Sequence, residues 1–347
     1  MEQVLDVPLW SNEIKEAKFS SLELFEEFLI ECENLLQREL ESNDYNTFNS
    51  FLQFYQNFKR AKKSNKFLPL LGFISDYKSR ISKDSLSCVG LSISLIRRLR
   101  QMNPKLSRSI SLVSCEEAVK DIGAYSMESP NNVKEHVLIG IRFQIENKRS
   151  GFVLLDPGYH VSRPIVVMED SLYPHTSWFM QSSNPKVVKE FCYQMIDDKF
   201  IAWKVRETRN GCLDEWMNLV FVKRQFAKCL TITEKRSLIY SLKSLVVRNR
   251  KGPIAGLYCW IESKCLTFFF DENGRKVQKK IDINQIGSEN INEWLLKIVG
   301  FMDTNGEEDI KEKVHHLHQM LIAFKEAVND SEFMPQLLEI DKWIETE

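Results

Sequence analysis

Apolar residues recur at helical spacing from Ser21 to Glu41 (SLELFEEFLIECENLLQRELE), which predicts an amphipathic helix. Tyr45 to Arg60 (YNTFNSFLQFYQNFKR) predicts a second helix, rich in aromatics. Leu86 to Met102 (LSCVGLSISLIRRLRQM) predicts a third, with Asp84 or Ser85 as its N-cap. After about Arg108 the pattern changes to short β-rich runs. Ile110 to Val113, His136 to Gln144, Phe152 to Leu155 and Pro164 to Met168 read as strands, the middle two flanking the turn ENKRSG. Phe191 to Ile196, Phe200 to Glu207 and Trp216 to Lys223 read as three more, an antiparallel meander expected to close into a barrel or a strongly curved sheet.

Thr231 to Val247 fits more than one element, and Thr233 with the helical period after it favours a helix. A hairpin follows, with strands at Leu257 to Ile261, Cys265 to Phe270 and Val277 to Ile283 around the turn DENG. Helices are expected at Asn290 to Val299, Glu307 to Val328 and Met334 to Ile344. The expectation is therefore an α+β fold in three stretches. Residues 1–108 form a helical subdomain bearing Cys88, residues 109–230 an antiparallel β subdomain bearing His136 and Asp156, and residues 231–347 a hairpin with C-terminal helices.

Composition narrows the function classes. The chain of 347 residues carries 47 basic and 48 acidic side chains, so no basic surplus points to nucleic acid or an anionic membrane as partner. No segment approaches the roughly 18 consecutive apolar residues of a membrane span, and the N-terminus lacks the pattern of a secretory signal. A cytoplasmic, reducing location is expected. The 8 cysteines (Cys32, Cys88, Cys115, Cys192, Cys212, Cys229, Cys259 and Cys265) include no CxxC pair. They are expected to be free thiols, and no metal site is expected.

One cysteine is singled out by position. A nucleophilic sulfur works as the thiolate, which a helix N-terminus and a nearby histidinium both stabilise. Cys88 lies in the first turn of its predicted helix, where backbone N–H groups could also hold an oxyanion. His136 opens a strand, HVLIGIR, and Asp156 ends the next, in FVLLDPGYH. Antiparallel pairing would make these two neighbours, so that the carboxylate fixes the imidazole tautomer. The plainer alternatives are a buried helix cysteine under Leu91 and Leu95, a sheet-edge histidine, and a turn residue in Asp-Pro-Gly.

The stretch HVLIGIRFQIENKRSGFVLLDPGYHVSRPIVV resembles the arylamine N-acetyltransferase family: a strand starting with His136, a turn, a strand ending in Asp156, then Gly158, Tyr159 and Pro164. The Asp-Pro pair is similar to the transglutaminase core, and the chain is identified as a divergent member of that wider papain-like superfamily. The resemblance covers roughly residues 84–168 and implies a Cys88–His136–Asp156 triad. It further implies acyl transfer through an acyl-Cys88 intermediate to an amine or hydroxyl acceptor, with an acyl-CoA as co-substrate and no permanently bound cofactor. Where that family carries an Arg-Gly-Gly-like stretch before its cysteine, this chain has KDSLSCVGLS. A transglutaminase-like or protease-like action on protein amides therefore stays open, as does a non-catalytic binding module.

Gly158, Tyr159, His160 and His175 are weaker candidates for contacting substrate or co-substrate. For the two histidines a loop position is the plainer reading. His315 and His318 are neighbours on one predicted helix face but lack the further ligands a metal needs. The basic run KRAKKSNK could meet CoA phosphates or be a solvated loop.

Overall fold

A computed structural model describes residues 14–120, 134–184, 187–287, 291–302 and 306–346. In chain order the elements are β1 (Ala17–Lys18), α1 (Leu22–Ser42), β2 (Tyr45–Asn46), α2 (Phe48–Ser64), α3 (Leu70–Asp76), α4 (Cys88–Met102), β3 (Ile110–Glu116), β4 (His136–Gln144), β5 (Ser150–Leu155) and β6 (Ile165–Met168). They continue with β7 (Phe179–Asn184), β8 (Val187–Met195), β9 (Phe200–Arg209), β10 (Cys212–Phe221), α5 (Thr233–Ile239), β11 (Leu242–Asn249), β12 (Gly252–Trp260), β13 (Cys265–Glu272) and β14 (Arg275–Asp282). The series ends with α6 (Asn292–Val299), α7 (Glu307–Val328) and α8 (Phe333–Thr346). The fold is α+β. Among the described residues no helix is long and apolar enough to cross a membrane.

The chain divides into two compact units. Among the described residues, one joins Glu41–Ser87 to those from Glu234 onward; the other joins residues 14–40 to Cys88–Thr233. These units cut the chain differently from the three stretches drawn on the sequence, because the two long N-terminal helices part company. The physical reason is β2, which pairs Tyr45 with Val246 and Asn46 with Leu245 on β11 and so commits α2 to the late part of the chain.

The first unit is built on a five-stranded sheet in the order β14-β13-β12-β11-β2. Its core packs the phenylalanines of α2 (Phe48, Phe51, Phe54, Phe58) with Phe268, Phe324 and Phe333. Phe48 and Phe324 meet edge to face at 4.8 Å. The helix expected from Tyr45 starts three residues later. Asn46 spends its side chain as a cap, Oδ1 accepting the Phe48 N–H at 3.0 Å. The ambiguous segment near Thr231 is both elements in turn. Thr233–Ile239 is helical, and LKSLVVRN then pairs as a strand with β12.

This unit also buries charge. Glu234 accepts a hydrogen bond from the Ser87 hydroxyl at 2.5 Å, and burial pushes its carboxyl up to about 7, against the lowering effects of Ser87 and Lys243. Lys243 is fully buried too and donates to the Ser237 carbonyl at 2.9 Å. Burial pushes it down to about 7, partly countered by Asp341 and Glu234. A carboxyl raised on folding weakens the fold as pH climbs from the unfolded value to the folded one, here from about 4.5 to about 7. Over most of that window Lys243 is protonated in both states, and only as pH nears 7 does it begin to lose its proton in the folded state alone, which adds a small slope of opposite sign. Urea unfolding of wild type should therefore lose stability between pH 5 and pH 7, by at most on the order of 3 kcal/mol. A Glu234→Gln variant should lose less over the same interval, and an identical slope would refute the assignment.

The second unit is built on a nine-stranded sheet. Its hydrogen-bonded path runs β6-β5-β4-β3-β10-β9-β8-β7, and β1 pairs parallel with β4 off that path. The path is open, but its two ends share one apolar interior. Ile165 and Val167 of β6 belong to the same cluster as Phe191 and Tyr193 of β8 and Trp203 of β9, so the sheet curls. Every residue of β3 and the first six of β4 are buried, because α4 lies against these strands on the other face. The strand Phe179–Asn184 carries no signal in the sequence; FMQSSN has no apolar alternation, and among the described residues β7 pairs on one side alone. Asn210 and Gly211 (φ 50° and 85°) make the two-residue turn between β9 and β10.

Candidate active site

Three side chains of the second unit converge where α4 meets β4, beside the end of β5. Cys88 is the first residue of α4 and His136 the first of β4. Asp156 follows the last residue of β5. Antiparallel pairing sets the last two side by side. Ile139 sits opposite Leu155, and carrying that register past the end of β5 brings His136 across from Gly158. His136 is 3% exposed, Cys88 6% and Asp156 0%, so the group is shielded from bulk water.

The contacts are specific. His136 Nε2 lies 2.9 Å from Asp156 Oδ2. Cys88 acts on the same ring and raises its pKa. Because Nε2 is committed to Asp156, the nitrogen left for Cys88 is Nδ1. Burial alone would lower the His136 pKa, but the Asp156 carboxylate and Cys88 outweigh it, and the imidazolium is held well above the usual histidine range.

Gly158 is where the chain comes close to both Cys88 and His136. A Cβ at this position would lie 2.6 Å from Cys88 Cβ, 2.8 Å from His136 Cε1 and 3.1 Å from Cys88 Cα. The backbone at 158 is wedged against both groups, and a bare glycine is what fits there. The turn it belongs to is fixed by Asp156 itself, whose Oδ1 accepts the Tyr159 N–H at 2.9 Å and whose carbonyl accepts the Val161 N–H at 3.1 Å. Asp-Pro-Gly is thus a turn, as its composition suggests, and also holds a carboxylate against the histidine.

Tyr159 closes the far side. Its ring meets His136 edge-on at 4.6 Å and Trp203 at 4.9 Å. Its hydroxyl donates to Glu117 Oε1 at 2.5 Å. Trp203 and Tyr193 face each other across β9 and β8 and stack at 5.5 Å. Trp203 Nε1 and Tyr193 Oη are buried with no hydrogen-bond partner among the described residues. Glu117, Tyr193 and Trp203 escaped the sequence reading because strand pairing, not spacing, brings them here.

His175 is tied to β6, its Nδ1 accepting the Met168 N–H at 3.1 Å, which is the loop packing that was the plainer reading. His160 occupies the turn after Tyr159 with a left-handed backbone, φ 60°. Cys115 stands opposite His136 on β3, but it is fully buried and burial drives its thiol well above the usual range. It is thereby disfavoured as a thiolate, although it is His136's neighbour in the sheet. Among the described residues no cluster of three or more histidine, cysteine or carboxylate side chains could hold a metal.

No protein-family model matches this chain, and neither does any curated protein. Among solved structures it is similar to the arylamine N-acetyltransferase of Nocardia farcinica, at 12% identity over 82% of this chain and 87% of that one, with a TM-score of 0.39. The likeness is a distant one of fold.

Proposed function

We propose that this protein is a thiol-dependent acyltransferase in which Cys88 is the nucleophile, His136 the general base and acid, and Asp156 the group that orients His136. The observation carrying this reading is the fit at Gly158. The backbone there packs against both Cys88 and His136, whose remaining nitrogen is held by Asp156 at 2.9 Å. A buried cysteine kept for packing alone would not need a glycine opposite it and an oriented imidazole beside it.

In the proposed cycle, Cys88 Sγ attacks the carbonyl carbon of an acyl donor while its proton passes to His136 Nδ1. The first-turn amides of α4 stabilise the tetrahedral oxyanion. Collapse breaks the bond to the donor's leaving group, which takes the proton back from His136 and departs. An amine or hydroxyl acceptor then attacks the acyl-Cys88 thioester, His136 accepts its proton, and the thiol is regenerated. The donor class proposed is a thioester such as an acyl-CoA. Hydrolysis or transfer at a protein amide would use the same first half-reaction with a different leaving group.

Intact-mass measurement after incubation with a panel of short-chain acyl-CoAs tests the reading. The expected result is a single acyl adduct in wild type that is absent in Cys88→Ala and discharged by added amines. Adducts that persist in Cys88→Ala, or none with any acyl-CoA or activated ester, would overturn it.

A further inference from the structure

The residue next to the site that the proposed chemistry leaves without a task is Glu117. It follows β3, a strand whose partner β4 carries His136, and its side chain is partly exposed. Its own N–H donates to Glu135 Oε2 at 3.2 Å, and its Oε1 accepts the Tyr159 hydroxyl. Tyr159 in turn touches both members of the histidine–carboxylate pair. The backbone N–H holds Asp156 Oδ1, opposite the oxygen used by His136, and the ring edge rests on the imidazole. One residue is thus pinned at its hydroxyl by a carboxylate and bears, through its backbone N–H and its ring, on the two groups whose alignment matters.

We propose that Glu117 is a positioning residue for the Asp156–His136 pair, acting through Tyr159. This rests on the acyl-transfer reading above, since it assigns Glu117 a part in aligning that triad. Asp156 and Cys88 act on the His136 ring directly, whereas Glu117 meets it through the Tyr159 ring. Burial and Glu117 together raise the Tyr159 hydroxyl well above the usual tyrosine range, so it stays a proton donor at every working pH and the pin does not switch off. A hydrogen bond to a carboxylate is stronger than one between neutral groups. Losing it would free the Tyr159 ring to turn and the Asp156–Tyr159 turn to loosen.

The test uses the full-length protein with isotope-labelled histidine, the His136 signal being assigned by its loss in His136→Gln. Its pH titration is followed by NMR in wild type, Glu117→Gln, Tyr159→Phe, the double variant and Asp156→Asn. Cys88 alkylation by iodoacetamide at pH 7 is measured alongside. Asp156→Asn should lower the His136 titration most. Glu117→Gln and Tyr159→Phe should each lower it by about half a unit to one unit and slow alkylation about threefold to tenfold. The double variant should do no more than the larger single, because both act on one linkage, which Glu117→Gln weakens by removing the charge and Tyr159→Phe removes. If Asp156→Asn moves His136 while the two single variants leave it at the wild-type value, or if their effects add in full, the role of Glu117 is refuted and the triad stands. If Asp156→Asn itself leaves His136 unmoved, the triad reading fails and takes this inference with it. Should Tyr159→Phe not fold, Glu117→Gln decides alone, since it swaps an oxygen for an amide at a partly exposed position.

Discussion

An Asp156→Asn variant is expected to accept an acyl group on Cys88 about 10⁴-fold more slowly than wild type while keeping its fold. The two side chains are nearly identical in shape, and the amide oxygen of the variant would still accept the Tyr159 N–H. What changes is the other position. An amide NH₂ in place of Oδ2 would face His136 Nε2 and make that nitrogen the acceptor. The ring proton would then sit on Nδ1, the nitrogen left for Cys88, and a protonated Nδ1 cannot take the thiol proton. A second effect follows from charge. Asp156 helps hold the His136 imidazolium well above the usual histidine range, so its neutralisation should move the histidine-dependent limb of the rate profile to lower pH. Single-turnover mass measurements from pH 5 to pH 9, with circular dichroism to check folding, would read both. A loss of less than tenfold with an unmoved profile would remove Asp156 from the proposed machinery.

Substituting alanine for Gly158 should impair both fold and chemistry. The new methyl group would fall 2.6 Å from Cys88 Cβ and 2.8 Å from His136 Cε1, closer than carbon atoms tolerate; the first is fixed to the helix backbone and the second belongs to a ring held by Asp156. Cys88 opens a buried helix and His136 a buried strand, so relief has to come from moving backbone. Overpacking of that kind costs about 1–3 kcal/mol, measurable by urea unfolding. The shift that relieves the clash also parts the sulfur from the imidazole, so iodoacetamide labelling of Cys88 at neutral pH should slow. Gly211→Ala is the informative companion. Gly211 has open space but a left-handed φ of 85°, so alanine there should cost stability and leave Cys88 labelling unchanged. If Gly158→Ala labels Cys88 at the wild-type rate, the close packing is not what couples the two side chains.

Much of the fold was legible in the sequence where its parts are local. His136–Gln144 and Glu307–Val328 have the bounds their patterns predict, one as an unbroken apolar run and the other as a long helical period ended by Asn329. Cys88 stands in the first turn where a change from polar DSLS to apolar residues placed it. Asp156 and Gly158 come from a turn motif written in four consecutive residues. What was not legible depends on distant pairing. Tyr45 looks helical because the aromatics after it are, yet its backbone is claimed by Val246 on β11. Trp203 reaches His136, at a ring distance of 6.2 Å, because a curled sheet turns β9 toward β4. Glu117 reads as one more charge after a strand until Tyr159 is seen to donate to it.

The interleaving of the two units has a consequence during synthesis. A ribosome delivers all of β3 to β10, with α4, before any of β11 to β14 exists, so the sheet bearing Cys88 and His136 can close while the chain is still growing. The other unit cannot. Thr47, whose hydroxyl is bonded to the Ser244 carbonyl in the finished fold, is made 197 residues ahead of that partner. Throughout that delay the phenylalanines of α2 have no core to enter, and this stretch, rather than the segment bearing the nucleophile, is the one a chaperone on the nascent chain would be called on to cover.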